Sequence, residues 1–259
     1  MKALVLSDLH LSTEIFTNNW KRNRLKYTLN AIILEDYDIV LISGDVVESS
    51  IYKRKTATEI YDILYSIFEK DIVFCLGNHE FAYSDFTKVH EFWQTGKNHP
   101  HVHCLDIDGK FELNNITFTG NVFWYDFSLN ENQLLMQGEI VDGWLDSTIS
   151  NFDPIKENEK CQNQILQNLS KTNKNILITH MVPHRDLNTF SIETPFSAYN
   201  AYSGNKDFLK QLSDYNIEYA LCGHTHRREC KDIYGIKCIN LGNDYYFRTN
   251  TYEYMILDI

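Results

Sequence analysis

Proline and glycine are scarce in this chain, four and eleven among 259 residues, and no linker rich in either occurs. Internal repeats and low-complexity tracts are also missing. Flexible connections between domains usually carry such composition, so nothing in the sequence marks a domain boundary. We therefore expect residues 1–259 to form a single α/β domain.

Long apolar runs are absent as well. A membrane-spanning helix needs about 18 or more consecutive apolar residues, and the chain has no such stretch. The apolar run at the N-terminus is too short for the core of a signal peptide and leads directly into a polar motif at Asp8. These absences predict a cytoplasmic protein with no membrane partner.

Basic residues are in the minority, with 24 Lys and Arg against 35 Asp and Glu and a formal net charge of -11. Sequence-independent binding of duplex nucleic acid depends on Lys and Arg that neutralise phosphates, so this balance argues against long duplex partners. A small phosphorylated substrate remains compatible with it, because bound dications would reverse the local charge.

The six cysteines show no CxxC pairing. In a chain that is 43% apolar, and so able to build a large core, this pattern predicts reduced and mostly buried thiols. Cys222, Cys230 and Cys238 are close in sequence but lack the spacing of a zinc site.

Short apolar runs alternate with helical spacing in the first third of the chain. Runs at residues 3–7, 39–43 and 72–76 predict buried strands, and residues 20–34 and 56–69 carry the spacing of amphipathic helices. Two successive β-α-β steps imply parallel strands joined by right-handed crossovers.

The remainder is predicted from weaker patterns. Strands are expected at residues 102–105, 111–113, 116–119, 176–179 and 219–222, with hairpin-like strands through Ile239 and 254–257, and helices at 160–169 and near 207–215. Segment 121–158 is expected to be irregular and partly helical, and segment 183–204 to be a long polar and aromatic loop. Their aromatic residues, above all 123–127, are candidates for a substrate rim, with packing into the core as the alternative.

Polar motifs lie at the ends of these apolar runs. In a parallel sheet the carboxyl ends of the strands share one edge, where ligand sites form. The motifs should therefore converge on one crevice. They are Asp8-Leu9-His10, Gly44-Asp45, Gly77-Asn78-His79-Glu80, His180 and Gly223-His224-Thr225-His226.

The motifs supply mixed oxygen and nitrogen donors, which suit Mn, Fe or Zn better than Ca or Mg. The set is too large for one tetrahedral ion and suffices for two if a carboxylate bridges them. Two dications there would stabilise an anionic substrate and a hydroxide. The donors are the carboxylates of Asp8 and Asp45, the amide oxygen of Asn78 and the imidazoles of His10, His180, His224 and His226.

This motif set, which spans residues 8–226, resembles that of the calcineurin-like metallophosphoesterases. The resemblance implies a four-layer αββα sandwich with two divalent metal ions. It also implies that His79 is not a ligand but contacts the substrate phosphoryl group or protonates the leaving oxygen. The implied ligands are Asp8, His10 and His226 for the first metal, Asn78, His180 and His224 for the second, and Asp45 as the bridge.

Some positions depart from the phosphoprotein phosphatases within this family. Ser49 and Leu76 stand where those enzymes carry phosphate-gripping arginines, which weakens that assignment. Glu80 is a candidate for orienting His79, with an exposed loop acid as the alternative. Further candidates for phosphate contacts, with a solvated surface role as the alternative, are His184, Arg185, Arg227 and Arg228.

We expect hydrolysis of a phosphoester by a metal-bridging hydroxide, acting on a small phosphodiester or nucleotide-type substrate. A phosphomonoesterase, a phosphoprotein phosphatase and a DNA nuclease of the same fold are the alternatives. The complete donor set and His79 argue against a non-catalytic scaffold. The native metal pair and the oligomeric state are left open.

Overall fold

The computed structural model describes residues 1–131, 135, 139–187, 191, 195–242 and 253–259. The strands among them are β1 (Lys2–Leu6), β2 (Ile39–Ser43), β3 (Asp71–Cys75), β4 (Val102–Cys104), β5 (Lys110–Leu113), β6 (Ile116–Asn121), β7 (Lys174–Thr179), β8 (Ile217–Cys222), β9 (Glu229–Ile233), β10 (Ile236–Asn240) and β11 (Met255–Asp258).

Two kinds of helix connect these strands. The α-helices are α1 (Thr13–Thr17), α2 (Asn19–Ile32), α3 (Ala57–Phe68), α4 (Asn78–Phe81), α5 (Phe86–Gln94), α6 (Leu105–Asp108) and α7 (Pro154–Asn168). Short 3-10 helices cover Ser49–Lys53, Leu145–Thr148, Arg185–Leu187, Pro195–Tyr202 and Leu209–Leu212. No helix in the described ranges is both long and apolar enough to cross a membrane.

The strands form two mixed sheets. The first has the order β11-β1-β2-β3-β4, with β1 to β4 parallel and β11 antiparallel at one edge. The second has the order β5-β6-β7-β8-β10-β9, with four central parallel strands and antiparallel β5 and β9 at the edges. Each sheet therefore presents a row of carboxyl strand ends on one side.

Strand β2 shows how the sheets are packed. Ile39 and Leu41 belong to the core between the two sheets, whereas Val40 and Ile42 belong to the core beneath the helices. Successive side chains of a strand point to opposite faces, so a strand covered on both sides is apolar throughout. The expected sandwich of two sheets flanked by helices is confirmed.

Helix α3 illustrates a local start signal. Thr56 accepts a hydrogen bond from the backbone N–H of Glu59, and the Glu59 carboxylate accepts one from the backbone N–H of Thr56. This capping box satisfies N–H groups that the first helical turn leaves without partners. Ile60, Leu64 and Ile67 then lie buried on one face.

Three sequence expectations need correction, and helix α5 was missed in the sequence. The helix expected near 207–215 is reduced to the 3-10 helix Leu209–Leu212. Helix α7 begins at Pro154 rather than residue 160, because Asp153 caps its N-terminus and proline suits the first helical turn. The strand expected at 254–257 forms, but it pairs with β1 in the first sheet, and the hairpin consists of β9 and β10.

Segment 121–158 is partly helical, as expected, and segment 183–204, expected as a loop, contains helical turns as well. Residues 121–158 include the end of β6, one 3-10 helix and the start of α7, and residues 183–204 include two 3-10 helices. Residues 132–134, 136–138, 188–190 and 192–194 of these segments lie outside the described residues.

Gly120 in β6 pairs with Ile178 of β7 and leaves no room for a side chain. Its φ is +155°, and a Cβ there would lie 1.7 Å from the carbonyl oxygen of Ile178. We expect Gly120→Ala to lower the free energy of unfolding by about 3 kcal/mol, from backbone strain and overpacking. Gly235→Ala is the matched control, because Gly235 has φ +80° and a Cβ at that position would have no neighbouring atom within 4 Å.

The control should cost only about 1 kcal/mol of backbone strain. Urea denaturation followed by circular dichroism measures both variants. Equal losses of stability in the two variants would contradict the proposed steric role of Gly120.

Candidate metal centre

The two sheets bring the polar motifs together at their carboxyl edges. Asp8 follows β1, Asp45 follows β2 and Asn78 follows β3 in the first sheet, while His180 follows β7 and His224 follows β8 in the second. The backbone N–H of Gly223 donates to the carbonyl of His180, which joins the ends of β7 and β8. Residues from distant parts of the chain therefore surround one cleft.

Several of these residues have a left-handed backbone. Residues other than glycine rarely adopt a positive φ, because that backbone conformation is strained. The strain persists only where the surrounding structure imposes it. The residues are Asp8 (φ 51°), His10 (φ 43°), Asp45 (φ 49°), His224 (φ 68°) and His226 (φ 54°).

The carboxylate of Asp45 lies between histidines that come from the two sheets. Its Oδ2 is 3.4 Å from Nε2 of His180 and 3.7 Å from Nε2 of His10. Its Oδ1 accepts the backbone N–H of His79 at 3.0 Å. One oxygen therefore fixes the carboxylate, and the other faces histidines from both sheets.

Asp8, His10 and His226 form one group, with one ligand atom of each lying within 4.8 Å of the others. The rings of His10 and His226 stack with centroids 5.5 Å apart. Asp8 is held by the hydroxyl of Ser7 and, through Oδ1, by the backbone N–H of His224 at 3.0 Å. These contacts keep the carboxylate directed at the two imidazoles.

Asn78, His180 and His224 form a second group. Nε2 of His180 lies 3.1 Å from Oδ1 of Asn78, and the rings of His180 and His224 have centroids 5.0 Å apart. His180 Nδ1 donates to the carbonyl of Ser43 at 3.0 Å, and His224 Nε2 donates to that of Tyr202 at 3.1 Å. These bonds leave Nε2 of His180 and Nδ1 of His224 for the cleft, as backbone partners commonly do for metal-binding histidines.

Asp146 supports Asn78 from behind. It is fully buried, and its Oδ1 accepts the side-chain N–H of Asn78 at 2.9 Å while Oδ2 accepts the indole N–H of Trp144 at 3.0 Å. The first bond fixes the Asn78 amide so that its oxygen faces His180. Asp146 follows no strand and belongs to a weakly patterned segment, so no signal in the sequence pointed to it.

Glu48 holds His79, and the expectation that Glu80 would do so is wrong. Oε1 of Glu48 lies 3.1 Å from Nδ1 of both His10 and His79. Glu80 instead accepts the backbone N–H groups of Val47 and Gly77, each at 2.8 Å. In the sequence, Glu48 stands three residues after Asp45, and Glu80 stands two residues after Asn78. A carboxylate at such spacing was the available signal for Glu48, but the spacing does not tell which of the two acids holds His79.

The charges of these groups are strongly coupled. Burial opposes ionisation of Asp45, yet the rings of His180 and His79 lower the pKa of its carboxyl well below the ordinary value. Burial also lowers the pKa of His79, but the carboxylates of Asp45 and Glu48 outweigh it and raise that pKa to about 9. Without bound cations the site therefore satisfies its buried carboxylates with protons on histidine.

His180 and His224 differ in charge. Burial favours the neutral form of His180, but the carboxylate of Asp45 raises its pKa to about 10. Burial and the nearby charge of His180 lower the pKa of His224 to about 3. His224 is therefore a neutral donor at pH 7, whereas His180 must lose a proton before it can bind a cation.

The cleft in front of these groups has a volume of about 390 Å³. It meets the usual size range of small-molecule sites. Its described lining is Asp45, Asn78, His79, Gly143, Trp144, Leu145, Tyr199, Ser203, His224, Thr225 and His226.

The aromatic wall of the cleft differs from the expected rim. Phe123, Trp124 and Tyr125 are fully buried and pack into the core, so of the two alternatives for these residues the structure supports core packing. Trp144 and Tyr199 line the cleft instead. Trp144 lies in segment 121–158 and Tyr199 in segment 183–204, the two segments expected to supply the rim. Within segment 121–158 the aromatic residue that lines the cleft is therefore not one of residues 123–127.

The candidates for phosphate contacts lie elsewhere. Arg185 pairs with Glu131 at 2.7 Å, and Arg228 pairs with Glu253 at 3.2 Å. His184 is buried beside Asp207 at 3.6 Å. Neither these three residues nor Arg227 are among the described residues that line the cleft.

Comparison with known proteins agrees with this geometry. Residues 1–228 match the calcineurin-like phosphoesterase family, and the chain belongs to that family. No curated protein sequence matches it. The family membership makes the protein a metal-dependent phosphoric ester hydrolase, and its nitrogen and oxygen donors fit divalent cations.

Solved structures share the fold. The chain is similar to phosphopantetheinyl hydrolase from Mycobacterium tuberculosis, with a TM-score of 0.68 and 14% identity over 99% of this chain and 95% of that one. It is also similar to the protein TT1561 of Thermus thermophilus, with a TM-score of 0.53 and 12% identity over 98% and 97% of the two chains. At these identities the likeness concerns the fold alone.

Removal of the Asp146 carboxylate tests its support of Asn78. We expect Asp146→Ala to weaken Mn²⁺ binding about 10- to 100-fold, because the Asn78 amide loses the bond that orients it. Titration of chelator-treated protein with Mn²⁺ measures the change. The control is Asp142→Ala, an exposed acid of the same segment, which should leave affinity unchanged. Equal affinities of the Asp146→Ala and wild-type proteins would rule out the supporting role.

Metal binding should release a proton at pH 7. His180, with a pKa of about 10, is protonated before binding and must free its Nε2 lone pair to become a ligand. Protons therefore compete with the metal, and the apparent Mn²⁺ affinity should rise between pH 6 and 8. Calorimetric titrations in buffers of different ionisation enthalpy count the released protons. Binding without proton release and without pH dependence would contradict this charge assignment.

Proposed function

We propose that this protein hydrolyses a small phosphodiester or nucleotide-type substrate at a centre of two divalent metal ions. The position of the Asp45 carboxylate is the observation that carries this proposal. Its Oδ2 faces His10 from one donor group and His180 from the other, at 3.7 and 3.4 Å. A carboxylate placed in this way is suited to bridge two cations.

The remaining donors divide between the two ions according to their contacts. His180 and His224 each donate to a backbone carbonyl, which fixes their tautomers and supports a place for both beside one ion. The compact group of Asp8, His10 and His226 supports a place for these three residues beside the other ion. In this assignment Asp45 bridges, the first ion is held by Asp8, His10 and His226, and the second ion is held by Asn78, His180 and His224.

Two bound cations would supply positive charge to the phosphoryl oxygens and lower the pKa of the attacking water. The protein's own contribution centres on His79. Glu48 lies 3.1 Å from its Nδ1, and its Nε2 lies 3.9 Å from Oδ2 of Asp45, on the side of the cleft. A protonated His79 held in this way donates a hydrogen bond to the phosphoryl group or a proton to the leaving oxygen.

The cleft and the surface charge favour a small substrate. Among the described residues lining the cleft there is no Lys or Arg, which is unlike the arginine clamp of phosphoprotein phosphatases. The net charge of -11 disfavours long DNA. The shared fold with a phosphopantetheinyl hydrolase is in keeping with a phosphorylated substrate.

Substitution of Asp45 and His79 tests the proposal. With Mn²⁺ and bis(p-nitrophenyl) phosphate, we expect Asp45→Asn and His79→Ala each to lower kcat by about 10² or more, through loss of the bridge and of the proton donor. Asp45→Asn should also reduce the bound metal below two equivalents, whereas His79→Ala should retain both. Absorbance at 400 nm and elemental analysis provide the measurements.

Asp36→Asn and His101→Ala are the matched controls. Asp36 is exposed, and His101 precedes β4 and so lies at the opposite ends of the strands from the cleft. Both should retain wild-type turnover. Wild-type turnover in Asp45→Asn would refute the metal assignment, and a strong preference for p-nitrophenyl phosphate would replace the diesterase proposal with a monoesterase.

A further inference from the structure

Three aromatic rings form a stack beside the candidate metal centre. The ring of Trp144 lies nearly parallel to that of Tyr199, with centroids 5.3 Å apart, and to that of Tyr202, with centroids 4.8 Å apart. Tyr202 is fully buried, whereas Tyr199 is 39% exposed. Trp144 and Tyr199 line the cleft together with Leu145. These three rings are called the aromatic stack below.

The aromatic stack is fixed to residues of the second donor group. The indole N–H of Trp144 donates to the same buried carboxylate, that of Asp146, which accepts the side-chain N–H of Asn78. The carbonyl of Tyr202 accepts a hydrogen bond from His224. The stack and the donor group are therefore connected at two points, and their relative position is set by buried hydrogen bonds.

The ring of Tyr202 is itself fixed at its outer end. Its hydroxyl donates to the carbonyl of Glu139 at 3.1 Å and accepts the backbone N–H of Val141 at 3.1 Å. The stack is thus anchored at Trp144 and at Tyr202, and Tyr199 is its open face. A rigid aromatic surface binds a flat group at small cost in conformational entropy.

The chemistry of this wall selects among phosphoesters. Tyr199 presents a flat ring stacked on Trp144, Leu145 adds apolar surface, and no described residue lining the cleft is a Lys or Arg that could pair with a second phosphate. Flat rings stack favourably on such a surface whatever their hydrogen-bonding groups. A substrate with several charged phosphates would instead bring uncompensated charge against it.

We propose that the aromatic stack is a specificity site that binds a flat, uncharged organic group joined to a single phosphoryl group, such as an aryl group or a nucleobase. This inference rests on the proposed function, because the phosphoryl group must lie at the Asp45 centre. The open ring face of Tyr199 contacts the organic group, and Trp144, stacked between Tyr199 and Tyr202, supports that ring. Their role is separate from the chemistry at phosphorus.

Non-hydrolysable phosphonates test the inference. Phenylphosphonate and methylphosphonate carry the same phosphonate group and differ in the flat ring, so the ratio of their inhibition constants isolates the contribution of the wall. We expect the wild type with Mn²⁺ to bind phenylphosphonate about tenfold more tightly, a difference of about 1.4 kcal/mol. Tyr199→Leu keeps Trp144 covered but removes the flat ring, and should bring the ratio close to one.

Two further variants sharpen the result. Tyr199→Phe keeps the ring and should keep the ratio of the two inhibition constants. Trp144→Leu should bring that ratio close to one. Because this variant removes a donor to Asp146, which also holds Asn78, its metal content is checked first. Tyr27→Ala removes an exposed tyrosine of α2 outside the cleft lining and should have no effect. Methylphosphonate affinity should stay within about twofold in Tyr199→Leu, because the phosphonate site is unchanged.

The outcomes distinguish the two proposals. Wild-type hydrolysis of phosphodiesters with equal affinity for the two phosphonates, or an unchanged ratio in both Tyr199→Leu and Trp144→Leu, would overturn the specificity site and leave the proposed function standing. Absence of both hydrolysis and phosphonate binding in metal-loaded wild type would overturn the proposed function, and the specificity site with it.

Discussion

The buried carboxylate of Asp45 lies where the carboxyl edges of the two sheets meet, and the surrounding site satisfies its charge. Its Oδ1 accepts a backbone N–H from the first sheet, and its Oδ2 faces His180 of the second. A buried charge is costly unless donors or opposite charges surround it. Space is equally restricted, since a Cβ at Gly44, where φ is +79°, would lie 2.3 Å from the His180 ring. Charge and crowding together account for the tight turns at the strand ends.

Two carboxylates outside the motifs extend this arrangement. Glu48 contacts both His10 and His79, and so connects a proposed ligand to the proposed proton donor. Asp146 contacts both Asn78 and Trp144, and so connects a proposed ligand to the aromatic stack. Each acid contacts two side chains at once and so fixes the position of one side chain relative to the other. The geometry for chemistry and the geometry for substrate selection are therefore set by the same hydrogen-bonded framework.

Much of the fold followed from local patterns. Apolar runs such as residues 39–43 form strands buried on both faces, and the alternation of strands and helices implied parallel pairing. Helix α5 was missed although Phe86, Val89 and Trp93 have helical spacing, because the segment is short and mixed with polar residues. The pairing of β11 with β1 depends on where the chain ends in space, and no local pattern carries that information.

At the site, the sequence alone determined which donor types follow which strands, because apolar runs and polar turns are local properties. Parallel pairing then brings the strand ends to one edge. Only the tertiary structure decided that Glu48 rather than Glu80 holds His79, since Glu80 is occupied by two backbone N–H groups. It also decided that Trp144, and not Trp124, faces the cleft. Such choices depend on contacts between residues far apart in the chain, and spacing in the sequence does not encode those contacts.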